Sequence, residues 1–218
     1  MEIWFVLGLI FINEWIWRVA AVNITIFILL FLSSIFLFKK LKHYFLLTFI
    51  LLLYFQISTT SFQSLILLDN DDQRIKSERI QFYNPSNHYM RVLFARFNLK
   101  ELLEGNFNTA KNRLERNFFE TIDSNVYFFA GHPRERVWAN DFEKFPFIFI
   151  VPFLIGVYLA VIEKEKFLIL FAIISLIVLT YFGHKNPLGP FILFPFFVYL
   201  INKGVLKTVN YFQKINEK

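Results

Sequence analysis

Apolar residues in this chain come in long blocks, separated by short charged or Gly/Pro-rich turns. A helix that crosses the hydrocarbon core of a bilayer needs ~20 apolar residues. Five blocks approach that length. They are Val19–Phe38, Tyr44–Leu68, Phe145–Ile162, Phe167–Phe182 and Phe191–Ile201. The last block reaches a spanning length only if it continues past Asn202–Gly204 towards Val209. The pattern predicts an all-α fold, namely a polytopic transmembrane helix bundle.

The first seventeen residues leave two alternatives open. Residues 3–12 are apolar, but Asn13 and Glu14 interrupt the block, and Trp15 and Arg18 are types that favour the membrane interface. This segment is either a short span or a re-entrant or interfacial helix. We favour the short span, so the prediction is five to six spans in total.

Lysines and arginines in short loops orient the bundle. Placing Lys39–Lys42 inside collects nine lysines on one side. They are Lys39, Lys40, Lys42, Lys164, Lys166, Lys203, Lys207, Lys214 and Lys218. Short segments on the other side hold only Arg18 and Lys185. This positive-inside bias predicts a multi-pass protein of the cytoplasmic (inner) membrane, with residues 69–144 outside and the C-terminus in the cytoplasm.

Charge divides the chain into four predicted parts. They are N-terminal transmembrane helices (1–68), a mostly helical extracytoplasmic segment (69–144), C-terminal transmembrane helices (145–209) and a cytoplasmic tail (210–218). The long outer segment is neutral, with twelve basic and twelve acidic residues, so the net charge of +6 flanks the apolar blocks. A nucleic-acid-binding protein would concentrate that charge on its polar part, and we therefore predict no nucleic-acid partner.

The outer segment has the capping and periodicity of helices rather than strands. One helix is predicted from Asn70 to Tyr83, and another from Asn108 to Ile122. In the second, apolar residues repeat every four positions and Lys111–Glu115 forms an ion pair on the other face. This helix could lie flat on the membrane or pack on the bundle. In the third span, Gly156 and Ala160 suit a close helix contact, within the bundle or between copies.

The densest outer motif, residues 127–136, leads from an aromatic run through Gly131 to His132, Arg134 and Arg136. Arginine forks match phosphate oxygens in a bidentate way. We predict binding of an anionic or lipid-linked headgroup by five residues on the same side of the membrane. They are His132, Arg134, Arg136, His184 and Lys185. The alternative is that the arginines pair with Glu135 or with ordinary headgroups and only anchor the loop.

Asp69, Asp71 and Asp72 directly follow the second span and are the catalytic candidates. An enzyme that moves a sugar from a polyprenyl phosphate needs a carboxylate base near the membrane surface. The alternative is a helix N-terminus carrying acidic residues, which favour its dipole. No histidine spacing of a metal site is present, so neither a metal nor another cofactor is predicted.

A stretch of the chain resembles a known family. The motifs are Asn-Phe-Phe-Glu at 117–120, Asn-Val-Tyr-Phe-Phe-Ala-Gly at 125–131, Phe-Pro-Phe at 145–147 and Phe-Leu-Ile-Gly-Val-Tyr at 153–158, with Arg134 between them. Residues 117–158 thus resemble a late extracytoplasmic loop and the next helix of GT-C type, protein mannosyltransferase-like membrane glycosyltransferases. Those enzymes are far longer and carry their acidic motif in the first outer loop, so no catalytic Asp is carried over. The wider pattern looks like small bacterial membrane proteins.

Three functions follow from these features. The leading hypothesis is a non-catalytic integral membrane protein of the cell envelope, whose outer loop binds a membrane lipid, a lipid-linked sugar or another membrane protein. The alternative is a small GT-C-like glycosyltransferase, or a degenerate relative, with an Asp of 69–72 as base and Arg134 or Arg136 on the leaving phosphate. The third is a transporter or channel subunit, which the scarcity of ionisable residues in the spans disfavours.

Overall fold

The computed structural model describes residues 2–60, 110–111, 113–129, 144–183, 186 and 188–216. Every regular element in these ranges is helical, which confirms the all-α class. We number the helices of this part of the chain α1 to α9. They are α1 (Glu2–Ile12), α2 (Glu14–Val22), α3 (Ile24–Phe38), α4 (Lys42–Thr59), α5 (113–122), α6 (Asn125–Phe128), α7 (Ile150–Ile162), α8 (Lys166–Phe182) and α9 (Phe194–Asn216). Single 3₁₀ turns, Phe147–Phe149 and Phe191–Leu193, lead into α7 and α9.

Two asparagines divide the N-terminal apolar region. The Asn13 side chain accepts a hydrogen bond from the Trp15 amide, and the Asn23 side chain accepts from Thr25 and Ile26. Each asparagine therefore caps a new helix, because its oxygen satisfies amides that the first turn leaves without partners. The predicted single span Val19–Phe38 was wrong, since it contains a break at Asn23. The predicted short span becomes the helix pair α1 and α2, bent by 67°.

Helices α7 and α9 run side by side in the same direction. Phe145, just before α7, contacts Phe194 and Phe197 at the start of α9, while Glu163 after α7 reaches Lys203 further along α9. Between these contacts the two backbones touch. A Cβ atom built at Gly156 would overlap the Leu200 carbonyl, and one at Gly204 would overlap the carbonyl of Pro152. The predicted close packing at Gly156 and Ala160 is confirmed, and it lies within the bundle.

The last helix is longer than its apolar block. The block Phe191–Ile201 continues as helix through Asn202–Gly204 to Asn216. The predicted domain boundary after Val209 is therefore not a helix end. Continuation is possible because Gly204 lies against the backbone of α7, where a side chain would not fit, and Lys203 has acidic partners.

The bundle has a mostly apolar core, but it also exposes many large apolar side chains and buries several polar ones. Large apolar side chains face outwards on most helices, among them Ile50 (54% exposed), Leu154 (58%) and Ile177 (61%). Polar side chains such as Ser33, Ser175 and Asn202 are almost fully buried. In hydrocarbon this arrangement has no penalty, because the solvent is apolar and the polar groups are kept inside.

One helix could cross a membrane on length and composition alone, Phe191–Lys214. Up to three spans result within the described residues if each bent pair counts once: Ile3–Ile12 with Glu14–Val22, and Phe147–Ile162 with Lys166–Phe182, the second bent by 118°. Ile24–Phe38 is apolar but shorter. At least one helix could thus cross a membrane, whereas the predicted five to six spans are not confirmed.

The bundle has two ends with different polar groups. At one, the turn Lys39–Lys42 meets the turn Glu163–Lys166: Lys42 Nζ lies 5.7 Å from the Phe167 ring centre, and Lys203 reaches Glu163. We call it the lysine end. At the other, Trp15 contacts Phe145 and the carbonyl of Leu188. We call it the loop end, because the undescribed ranges 61–109 and 130–143 both adjoin it in sequence, at Thr60 and at Lys144.

Candidate functional site

The predicted site residues lie outside the described residues. This holds for the catalytic candidates Asp69, Asp71 and Asp72, and for the headgroup-binding candidates His132, Arg134, Arg136, His184 and Lys185. Their assignments stay predictions. The structure does describe the chain segments that flank them, and these segments meet at the loop end.

Trp15 is the central side chain of the loop end. Its ring is buried and its indole Nε1 donates a hydrogen bond to the Leu188 carbonyl at 2.6 Å. Phe145 and Phe194 pack edge-on against the ring, and Lys144 Nζ lies 6.0 Å from its centre. Sequence reasoning placed Trp15 at the lipid interface, whereas it joins α2 to the start of α9. An amphipathic ring suits this place, because its N–H needs a partner when buried.

Side chains at the end of α4 form hydrogen bonds with Asn186, Gly189 and Ile192, which follow the predicted His184 and Lys185 in the chain. Gln56 Oε1 accepts from the amide of Ile192 at 3.2 Å, and Gln56 Nε2 lies 3.4 Å from the Gly189 carbonyl. Asn186 Nδ2 donates to Thr59 Oγ1 at 2.7 Å. Gln56 itself is only 1% exposed. Its amide supplies both the donor and the acceptor that the turn's backbone requires.

Helix α5 packs on the same end with its polar face inwards. Asn117 Nδ2 donates to the Thr180 carbonyl at 3.1 Å, and Arg113, Asn117 and Thr121 are buried at i, i+4 and i+8. The apolar side of the helix, with Phe118 and Ile122, faces outwards. Of the two predicted positions, packing on the bundle is observed, and the predicted Lys111–Glu115 ion pair forms at 3.6 Å. A helix whose polar face is buried in this way requires apolar surroundings on its other side.

The segment after α5 is fixed at both sides of the predicted motif 132–136. Before it, the Tyr127 hydroxyl donates to the Thr121 carbonyl at 2.7 Å. After it, Lys144 Nζ donates to the Val126 carbonyl at 2.8 Å, and the Phe145 amide donates to the Tyr127 carbonyl at 2.8 Å. Residues 126–128 and 144–145 are therefore in direct contact, so the chain leaves and re-enters the loop end at one place.

A groove runs down the bundle beside this end. It has a volume of about 380 Å³ and lies between α5 and α8, lined by apolar side chains that include Leu114, Phe118, Ile173 and Ile177. Thr180 and Tyr181 line its upper part, directly before Gly183 in the chain. Its volume is in the range of ~300–1,000 Å³ that ligand pockets occupy. Its lining suits a hydrocarbon chain rather than a polar ligand.

The described side chains of the loop end mainly bind backbone groups of neighbouring segments. Among the described residues, no group of three or more His, Asp or Glu could hold a metal ion. Glu14 forms an exposed ion pair with Arg18 at 2.7 Å.

The lysine end contains a charged cluster that sequence reasoning described only as a tight charged turn. Lys203 Nζ donates to Glu163 Oε2 at 2.8 Å and to Glu165 Oε1 at 2.9 Å, and the Tyr199 hydroxyl donates to the same Glu165 oxygen at 2.8 Å. The hydrogen bond from Lys203 holds the pKa of the Glu163 carboxyl below its ordinary value, with nearby Lys207 and Lys40 adding to the effect. No spacing rule links these residues; only the contact between α7 and α9 brings them together.

No family model, curated protein or solved structure matches this chain. The resemblance of residues 117–158 to GT-C type glycosyltransferases therefore stays a prediction.

Proposed function

We propose that this chain is a multi-pass integral membrane protein, with the loop end outside and the lysine end in the cytoplasm. The exposed apolar surface supports a bilayer environment, since large apolar side chains are exposed on α3, α4, α7 and α8 alike. The turns Lys39–Lys42 and Glu163–Lys166 lie at one end, as the positive-inside rule requires of cytoplasmic turns. In this proposal α7 and α8, whose directions differ by 118°, are two separate crossings rather than one bent span.

We further propose that the protein binds a lipid with an anionic headgroup, which could be a phospholipid or a lipid-linked phosphate, without chemically changing it. The groove between α5 and α8 is the observation that carries this proposal. It is lined by apolar side chains and ends beside Thr180 and Tyr181, three residues before His184. A lipid chain in the groove would therefore have its headgroup near His184 and Lys185.

Arginines from the other outer loop complete the proposed headgroup site. Residues 129 and 144, which border the segment of His132, Arg134 and Arg136, are held at the loop end by the contacts of Lys144 and Phe145. Two guanidinium forks and two imidazoles would offer donors to the oxygens of a phosphate at the level of the lipid headgroups. The chain bound in the groove supplies affinity through apolar burial, and the basic groups select the headgroup.

Lipid retention tests this proposal. The protein would be extracted in mild detergent and the copurifying lipids quantified by mass spectrometry. We expect Arg134→Gln/Arg136→Gln to lose the anionic species that the wild type retains. We expect Ile177→Trp, which fills the groove, to lose the same species. Leu154→Trp is the matched control, because Leu154 is similarly exposed on α7 but lines no part of the groove.

Two results would count against the proposal. If both the arginine and the groove variants retain anionic lipid as the wild type does, the loop end is not a lipid site. If only the groove variant loses lipid, the arginines are not its headgroup ligands. Elution volume and thermal unfolding of each variant establish that it is folded.

A further inference from the structure

Seven exposed lysines lie at the lysine end or on the stretch of α9 that continues beyond it, and they come from three separate parts of the chain. They are Lys39, Lys40, Lys42, Lys164, Lys166, Lys207 and Lys214. Contacts join the three parts: Lys42 lies over the ring of Phe167, and Lys40 and Lys207 both act electrostatically on Glu163. The fold thus assembles one positive surface, which no single stretch of sequence contains.

The acidic groups of this surface are already occupied. Within residues 39–42, 163–166 and 199–214 the carboxylates are those of Glu163 and Glu165, and both bind Lys203. Lys203 has only 14% of its side chain exposed, and it forms ion pairs with both glutamates. Eight lysines and two glutamates give these segments a net charge of +6, equal to the formal net charge of the whole chain. The surface therefore keeps a large excess of positive charge.

Aromatic side chains accompany the lysines. Helix α9 continues thirteen residues beyond Lys203, about 20 Å at the rise of an α-helix. On this extension Tyr211 and Phe212 are exposed, and Lys207 and Lys214, seven residues apart, share one face. Tyr44, two residues after Lys42, is also exposed and packs against Phe36. Tyrosine and lysine are among the residue types that anchor helices at the membrane–water interface.

We propose that this surface, defined by the seven lysines, binds the headgroups of anionic phospholipids in the leaflet that it adjoins. Lysines next to a membrane span are each attracted to anionic headgroups, and charges within ~8 Å of one another act together at physiological salt. The apolar exterior of the bundle begins directly next to the lysines, which places a lipid headgroup within their reach. An acidic protein or a nucleic acid would not need the adjoining aromatic rings. The proposal requires the membrane placement but not the lipid site at the loop end.

A reporter at the lysine end measures the binding directly. Because the chain contains no cysteine, Leu41→Cys provides a single attachment point for an environment-sensitive fluorophore in the turn between Lys40 and Lys42. The labelled protein in detergent would be titrated with short-chain phosphatidylglycerol, with short-chain phosphatidylcholine and with inorganic phosphate. We expect saturable binding of phosphatidylglycerol alone, weakened when the salt is raised from about 50 mM to about 500 mM.

Charge removal then identifies the residues. Each lysine near an anionic surface contributes about a fivefold change in affinity. Lys40→Gln/Lys164→Gln/Lys207→Gln takes one lysine from each part of the surface and is expected to weaken phosphatidylglycerol binding at least tenfold at low salt. Lys111→Gln is the matched control: this lysine is equally exposed, but it pairs with Glu115 on α5. It should leave the affinity unchanged.

Specific results would overturn the proposal. The lysine surface does not select anionic headgroups if phosphatidylglycerol and phosphatidylcholine bind equally, or if the triple variant keeps the wild-type affinity for phosphatidylglycerol. Equal competition by inorganic phosphate would indicate a free-anion site. Arg134→Gln/Arg136→Gln should not change the phosphatidylglycerol binding measured by the Leu41→Cys reporter. Failure of the lysine-surface proposal is therefore distinguishable from failure of the proposed lipid site at the loop end.

Discussion

At the loop end, neutral side chains bind the backbone of neighbouring turns, whereas at the lysine end a lysine and two glutamates bind one another. Gln56, Asn117 and Trp15 each reach a main-chain carbonyl or amide of a different segment. At the lysine end, Lys203 joins Glu163 and Glu165. Neutral amide contacts are indifferent to pH and salt, while ion pairs respond to both. The loop end is thus fixed mostly by uncharged groups, with Lys144 as a charged one, whereas ion pairs join the helices at the lysine end.

Helices α7 and α9 connect the two ends and are in direct backbone contact. Disrupting this contact is expected to lower the free energy of unfolding more than any other change considered. Gly156→Leu would place a side chain on the backbone of Leu200, so the helices must move apart. We expect a loss of about 3 kcal/mol or more of unfolding free energy, because overpacking against a backbone has no flexible side chain to absorb it. Denaturation in detergent, followed by helical circular dichroism, measures it.

Gly8 is the control position, because a Cβ atom added there would have no other atom within 4 Å. Gly8→Ala should be neutral or should raise stability by about 0.4–1 kcal/mol, through lower entropy of the unfolded chain. Equal destabilisation by Gly8→Ala and Gly156→Ala would show that the two positions do not differ as described.

The loop end is expected to depend on Gln56. Gln56→Leu leaves the amide of Ile192 and the carbonyl of Gly189 without their side-chain partner in a buried place, at a cost of about 1–3 kcal/mol. Ser58→Ala, on the exposed face of the same helix, should cost far less. Thermal unfolding of both variants at several salt concentrations tests the comparison, because the Gln56 effect should not vary with salt.

The lysine end should show a smaller effect that depends on pH. The pKa of Glu163 is lowered by Lys203, so its contribution to stability is present above the unfolded pKa of about 4.5 and is lost as pH falls through the lower folded value. The exposed position of Glu163 keeps the effect small. We expect the wild type to lose stability on acidification below pH about 4.5, and Lys203→Met to lose less over the same range. Parallel pH profiles of the two proteins would contradict this.

The sequence predicted the helical class and the grouping of lysines through general rules of hydropathy and charge. It also predicted the end of α5 at Ile122 and the close packing at Gly156. It did not predict the break at Asn23, because the apolar residues on both sides hide a cap that depends on two local hydrogen bonds. The burial of Gln56 was not predictable either, since a polar side chain near the end of an apolar block does not indicate that a distant turn will cover it.

The headgroup and catalytic candidates show a second limit of prediction from sequence, which concerns the spatial arrangement of a site. His132, Arg134 and Arg136 were selected for their chemistry, as were Asp69, Asp71 and Asp72, and their shared side of the membrane followed from charge counting. The contacts that hold the flanking segments come from α4, α5 and the turn before α9, which are far apart in sequence. Residue types indicate what a site could bind, but only long-range packing decides which segments meet.

The opposite placement of the two ends across a membrane is the claim on which both proposals depend. Single cysteines in this cysteine-free chain test it, with Leu41→Cys at the lysine end and Phe129→Cys at the loop end, both partly exposed positions. Intact cells would be treated with a membrane-impermeant thiol reagent. We predict labelling of Phe129→Cys in intact cells, and of Leu41→Cys only after permeabilisation. Labelling of both positions from the same side would contradict the account.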